Sequence, residues 1–221
     1  MLLEIVKIAK QHNIIIVSDE VYRPLFHSID QSDPEFPPSV LSLEYSNVLV
    51  TGSLSKAYSL AGIRIGWIAS PSSELIQECS RGRDYTTISV SQLDDRVATF
   101  ALTPGTVGRI LEHNRQLANT NLAMLEAFIE RNSDTCDWVR PVGCTTAFIR
   151  VRKNGVPVDS GKFSSLLLEK KGVLVAPGSN CFGEEFKGFF RMGFACQTDV
   201  LKGGLEALEA FLNEDLAAVM A

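Results

Sequence analysis

The spacing of apolar residues changes period several times along the chain. Residues 2–12 place Leu2, Leu3, Ile5, Val6, Ile8 and Ala9 at helical intervals. His12-Asn13 interrupts that pattern, and the β-branched run Ile14-Ile15-Ile16-Val17 follows. An unbroken run of this kind predicts a strand buried on both faces of a parallel sheet. Asn47-Val48-Leu49-Val50-Thr51 predicts a second buried strand, and Ile63 to Ala69 a third. Pro71-Ser72-Ser73 punctuates the chain and starts a helix to about Gly82, and residues 90–102 read as another. Thr103-Pro104 is a good cap and first-turn pair. Beyond it Val107, Ile110, Leu111, Asn114, Leu117, Asn121, Met124, Leu125, Phe128 and Ile129 fall near helical spacing, predicting one long helix to about Arg131.

The second half shortens its periods. Trp138-Val139, Thr146 to Val151, Val173-Leu174-Val175 and Phe189 to Phe194 predict short strands. Phe163 to Lys170 predicts a helix closed by Gly172, and residues 199–218 a final amphipathic helix. Residues 28–39, with Pro34, Pro37 and Pro38, read as a loop. The fold class is α/β. Two regions are expected: 1–103, part of a large domain, and 104–221, a linking helix and a small α/β domain.

Composition narrows the function classes. The 221 residues carry a formal net charge of −5 and are 45% hydrophobic, enough for a sizeable core. A mildly acidic balance with no basic run argues against nucleic acid and against an anionic membrane surface. No apolar run approaches the length of a membrane helix. Met1-Leu2-Leu3-Glu4-Ile5-Val6 carries an early acid and no basic leader, so no signal peptide is expected. The five cysteines form no CxxC pair, which predicts neither a disulfide framework nor a metal site, and a reducing, cytoplasmic setting.

The chemistry concentrates in Ser53-Leu54-Ser55-Lys56-Ala57-Tyr58-Ser59-Leu60-Ala61-Gly62-Ile63-Arg64-Ile65-Gly66-Trp67. A lysine among small, hydroxylated and apolar residues can be desolvated, and its amine then acts as nucleophile and base. Ser53 lies three residues before it and Arg64 eight after. A hydroxyl and a guanidinium flanking an amine suit an aldehyde cofactor that also carries a phosphate. The plainer reading is a strand-turn-strand with a solvated Lys56 and an Arg64 paired to a surface carboxylate. Upstream, Ser18-Asp19-Glu20-Val21-Tyr22 ends the first strand, where ligands of open α/β sheets gather. Asp19 could equally cap a turn there, and Tyr22 could be a half-buried aromatic.

The two stretches together resemble the class I/II aminotransferases, fold-type I enzymes dependent on pyridoxal 5'-phosphate (PLP). The resemblance implies that Lys56 is the Schiff-base lysine and general base. Asp19 would hold the pyridine nitrogen protonated, and Tyr22 would hydrogen-bond the 3′-oxygen. Ser53 and Arg64 would bind the phosphate, with Ser55 compatible with a further contact. Arg191, in Phe190-Arg191-Met192-Gly193-Phe194, would grip the substrate α-carboxylate; its plainer reading is a surface ion pair. Val175-Ala176-Pro177-Gly178-Ser179 resembles the family's substrate-side loop. The implied reaction moves an amino group from an amino acid to a 2-keto acid, in a homodimer when full length. A PLP-dependent lyase or synthase of the same fold uses the same residues, and a catalytically inactive fragment is the third reading. The family's N-terminal half, with its glycine-rich phosphate turn and the aromatic that stacks on the PLP ring, has no counterpart in these residues, so a truncated chain is expected.

Overall fold

A computed structural model describes residues 1–30 and 32–220. The chain divides into two compact units, Met1–Arg115 and Gln116–Ala221.

The first unit begins with helix α1, Leu2–His12. Asn13 ends it in the left-handed conformation, and the Ile14 N–H is spent on the helix carbonyl of Ala9. The Tyr45 hydroxyl lies 2.7 Å from the Ile14 carbonyl. Both polar groups of Ile14 are therefore occupied, and strand β1 starts later than the apolar run predicts, at Ile16–Asp19. β1 pairs parallel with β2, Val48–Ser53, and β2 pairs antiparallel with β3, Gly66–Ala69. Val48 and Val50 of β2 pack with Val40 in a small core on one face. The opposite face differs from the expectation of two-sided burial. Val17 is 67% exposed and Ile68 is 48% exposed, so among the described residues nothing covers it. Helices α2, Ser73–Arg83, and α3, Gln92–Ala101, follow, with Ser72 and Ser91 accepting first-turn N–H groups as N-caps.

Helix α4, Pro104–Arg131, runs through the division between the units. In the second unit strands β4, Cys136–Trp138, and β5, Thr146–Lys153, pair antiparallel. The short β6, Val156–Pro157, borders β5. Helix α5, Ser160–Lys171, starts on the Asp159 cap and ends at Gly172. Then come β7, Ala176–Pro177, helix α6, Gly178–Phe182, and β8, Phe189–Gly193. The sheet order is β4-β5-β8-β7. Val173 to Val175, expected as a strand, lies outside the ladder. The Ser164 hydroxyl donates to the Val175 carbonyl at 2.7 Å, and the chain joins β8 through Ala176 and Pro177 instead. A proline, lacking an N–H, is tolerated on such an edge.

Alternation along β5 and β8 separates two faces. Ala147, Ile149, Val151 and Phe190 point into a core shared with Phe128 of α4, Phe163 of α5 and Phe211 of α7, Thr198–Glu214. Each fully buried phenylalanine contributes about 1.5–3 kcal/mol. Asn121, fully buried on α4, donates to the carbonyls of Phe194 and Cys196 at 2.7 and 2.8 Å and accepts from Thr198. It thereby fixes the start of α7, which has no side-chain cap of its own. No described helix is long and apolar enough to cross a membrane.

Candidate functional site

Asp19 is the last residue of β1 and is directly opposite Thr51 in β2. Its Oδ1 accepts the Thr51 hydroxyl at 2.9 Å and the Val21 N–H at 3.3 Å. Its other oxygen takes no hydrogen bond among the described residues, and the side chain is exposed. The carboxylate is thus oriented by two donors through one oxygen while the second stays open to a ligand.

Its neighbour Glu20 plays a different part. One Glu20 oxygen accepts the Val40 N–H at 2.9 Å, and the other pairs with Arg23 at 3.4 Å. Alternation along the strand sets this side chain on the opposite face from Asp19, where it ties the 39–42 turn to the sheet. Tyr22 sits in the following turn, half-buried, and its hydroxyl has no partner among the described residues. Burial pushes the Tyr58 phenol up, so it stays protonated at neutral pH.

Ser53 ends β2, two residues beyond the partner of Asp19 and roughly 7 Å further along the strand. Its hydroxyl accepts the Ser55 N–H at 2.9 Å and lies 3.3 Å from the Ile65 carbonyl. The Leu54 N–H donates to Ile65, and the Leu60 N–H returns to Leu54. These bonds close the turn that carries Lys56. Lys56 is exposed, and its amine has no hydrogen bond or ion pair among the described residues. The expected desolvation of that amine is therefore not provided by the described residues.

Arg64 adopts φ 54, a left-handed conformation that costs a non-glycine residue about 1–2 kcal/mol. Its Nη1 donates to the Ala61 carbonyl at 2.8 Å, which holds the guanidinium over the turn. Gly66 is required next to it, because a β-carbon there would lie 2.9 Å from the Gly52 carbonyl oxygen across the ladder.

Two supporting residues escape a sequence reading. Thr51 orients Asp19, but only the parallel register reveals the pair. Asn114, buried on α4, donates to the Ala57 carbonyl at 2.8 Å, beside Lys56. Its signal is a polar residue on the apolar stripe of a long helix. A cavity of about 170 Å³ opens near Glu20, Thr51, Ser53, Tyr58 and Trp67. It includes neither Asp19, Lys56 nor Arg64, so it is not where those three groups could meet a ligand.

In the second unit Arg191 lies on β8, on the sheet face opposite the core, cross-strand from Phe148 and Ala176. It is exposed, and it makes no ion pair among the described residues. Its guanidinium carbon stands 5.3 Å from the centre of the Phe182 ring.

A family model for aminotransferases of class I and II matches residues 1–208. The chain belongs to that family. It is 33% identical to capreomycidine synthase of Streptomyces vinaceus over 220 residues, covering 95% of this chain and 50% of that protein. It is 27% identical to a probable N-acetyl-LL-diaminopimelate aminotransferase of Bacillus subtilis over 208 residues, covering 94% and 49%. The crystal structure of a PLP-dependent aminotransferase from Streptococcus suis superposes with a TM-score of 0.84 at 37% identity, covering 96% of this chain and 52% of that one. The chain thus spans about half the length of the relatives it matches.

PLP is the cofactor of the family. The donor set around the first-unit turn fits it chemically. Lys56 offers an unpartnered amine, Asp19 an oriented carboxylate with one oxygen open, and Ser53 and Arg64 a hydroxyl and a guanidinium.

Proposed function

We propose that this chain carries the lysine-bearing part of a PLP-dependent aminotransferase that moves an amino group from an amino acid to a 2-keto acid. Residues 1–103 then belong to the cofactor-binding large domain, and 104–221 form the linking helix and small domain. The observation that carries the reading is the closed turn from Ser53 to Arg64. It presents an unpartnered Lys56 amine beside the strand ends that carry Asp19 and Ser53.

PLP, when bound, supplies an electron sink for the carbanion left by loss of the substrate α-proton. The residues divide the remaining work. Lys56 would hold the cofactor through its aldehyde, and its Nζ would take the substrate α-proton and return it as general base and acid. Asp19 would hold the pyridine nitrogen through its open oxygen, with Thr51 holding the other. The Tyr22 hydroxyl would hold the 3′-oxygen. Arg64 would neutralise the phosphate, and Ser53 and Ser55 would orient it by hydrogen bonds. Arg191 binds the substrate carboxylate as a bidentate fork. A cytoplasmic homodimer belongs to the same proposal; the five free cysteines suit the reducing compartment.

A second reading has its own support, since capreomycidine synthase is among the relatives. Synthase or lyase chemistry uses the same lysine and carboxylate. The two are separated by incubating the chain with PLP and a panel of amino acids, with and without a 2-keto acid. Amino transfer predicts that sustained product formation requires the keto acid. Turnover that proceeds equally without it establishes the synthase or lyase reading.

A further inference from the structure

The outer face of the second-unit sheet carries Arg150, Arg152 and Arg191, and two of them, Arg150 and Arg191, each lie over a phenylalanine. Arg150 stands 5.6 Å from the Phe189 ring, and Arg191 stands 5.3 Å from the Phe182 ring. Their electrostatic situations are opposite. Arg150 is gripped by both oxygens of Asp137, with Nε at 3.0 Å and Nη2 at 3.0 Å. Asp137 also pairs with Arg152 at 2.9 Å. Arg191 has no carboxylate among the described residues. Among the described residues, one guanidinium fork on this face, that of Arg191, is left for an incoming anion.

What surrounds that fork is apolar. Phe148 is the direct cross-strand partner of Arg191. Its ring meets Phe182 edge-on at 5.4 Å and stacks on Phe189 at 4.8 Å. Phe182 remains 40% exposed, so part of its ring is available to a ligand. On the other side the arginine is flanked by the small Ala176.

We infer that this face selects a monocarboxylate with an apolar, preferably aromatic, body over a dicarboxylate. The inference rests on the reading of Arg191 as the carboxylate-binding residue and adds the substrate class to it. The carboxylate takes the Arg191 fork, and the apolar body lies against Phe182 with Phe148 behind it. An offset or edge-to-face contact is the geometry aromatic rings favour, and it adds to the burial of their area. Among the described arginines of this face a dicarboxylate finds no second free guanidinium, because Asp137 already occupies Arg150 and Arg152. Its second charge would lie on phenylalanine and lose hydration without a partner.

The test is a ligand-observed NMR titration of the 221-residue chain with propionate, 3-phenylpropionate and succinate. The expected result is that 3-phenylpropionate binds about tenfold tighter than propionate and succinate no tighter than propionate. Phe182→Ala should abolish the phenyl preference, bringing 3-phenylpropionate to the affinity of propionate. Phe182→Leu, which keeps apolar bulk, should retain part of it and guards against a folding defect, checked by circular dichroism. Arg191→Gln should weaken all three ligands. Binding that depends on Arg191 but favours succinate, or ignores the phenyl group, overturns the inference and leaves the Arg191 reading standing. Binding indifferent to Arg191→Gln overturns both.

Discussion

Gly178 is where a single residue constrains the second unit most tightly. A β-carbon there would collide with the Phe186 carbonyl oxygen and lie 2.7 Å from that of Phe189, and neither backbone group can swing aside. Gly203, inside α7, has nothing within 4 Å of the same position. One substitution therefore has two signs. Gly178→Ala is expected to destabilise the chain by about 1–3 kcal/mol through overpacking. Gly203→Ala is expected to stabilise it by about 0.5–1 kcal/mol through helix propensity. Urea denaturation of the two variants checks both, and equal shifts would contradict the packing account. The same contrast explains which candidate site residues are legible in a sequence. Lys56, Ser53 and Arg64 stand at characteristic local spacings, and Asp19 ends an apolar strand with Tyr22 in the turn that follows. Thr51 and Asn114 act through partners that only the fold supplies, the latter across 57 positions.

Among elements, the long-period signals read most cleanly. The helical spacing after Thr103-Pro104 places α4 where the structure has it, and Asp159 and Gly172 bound α5. The short β-branched runs mislead because hydrogen bonding, and not side-chain type, decides which residues join a ladder. The polar groups of Ile14 serve the α1 cap and Tyr45, and the Val175 carbonyl serves Ser164. Pairing between helices also leaves a pH signature. Arg131 and Asn132, at the end of α4, donate to Glu209 of α7 at 3.3 and 3.2 Å. The Arg131 hydrogen bond, followed by that of Asn132, holds the Glu209 carboxyl below its ordinary value of 4.5. A depressed folded-state pKa stabilises above the unfolded value and ceases to do so as pH falls through the folded one. Glu209→Gln should therefore cost stability above pH 4.5, by less than about 1 kcal/mol because the pair is partly solvated, and the deficit should shrink in more acidic solution. Thermal midpoints of both proteins across pH 3–7 test this, and a deficit independent of pH would rule out the charged pair as its cause.

At the scale of the molecule, the chain is two compact units with different tasks. The first holds the lysine turn on a three-stranded sheet, and the second presents an unpaired arginine on an aromatic face. The first unit also leaves Val17 and Ile68 on an open sheet face. An expectation of two-sided burial, drawn from apolar runs alone, does not hold for these residues, because a run records what a strand can bury and not what covers it. The account as a whole turns on Lys56 being the residue that bonds the cofactor. On the proposed reading, the Asp19 carboxylate, Ser53 and Arg64 serve a cofactor bonded to that amine. The most direct measurement treats the intact chain with a substoichiometric amount of PLP, reduces with borohydride and maps the labelled lysine by peptide mass spectrometry. The account predicts that the phosphopyridoxyl group is found predominantly on Lys56 and that Lys56→Ala abolishes this selective labelling. Label concentrated on another lysine, or spread evenly over the surface lysines, would contradict it.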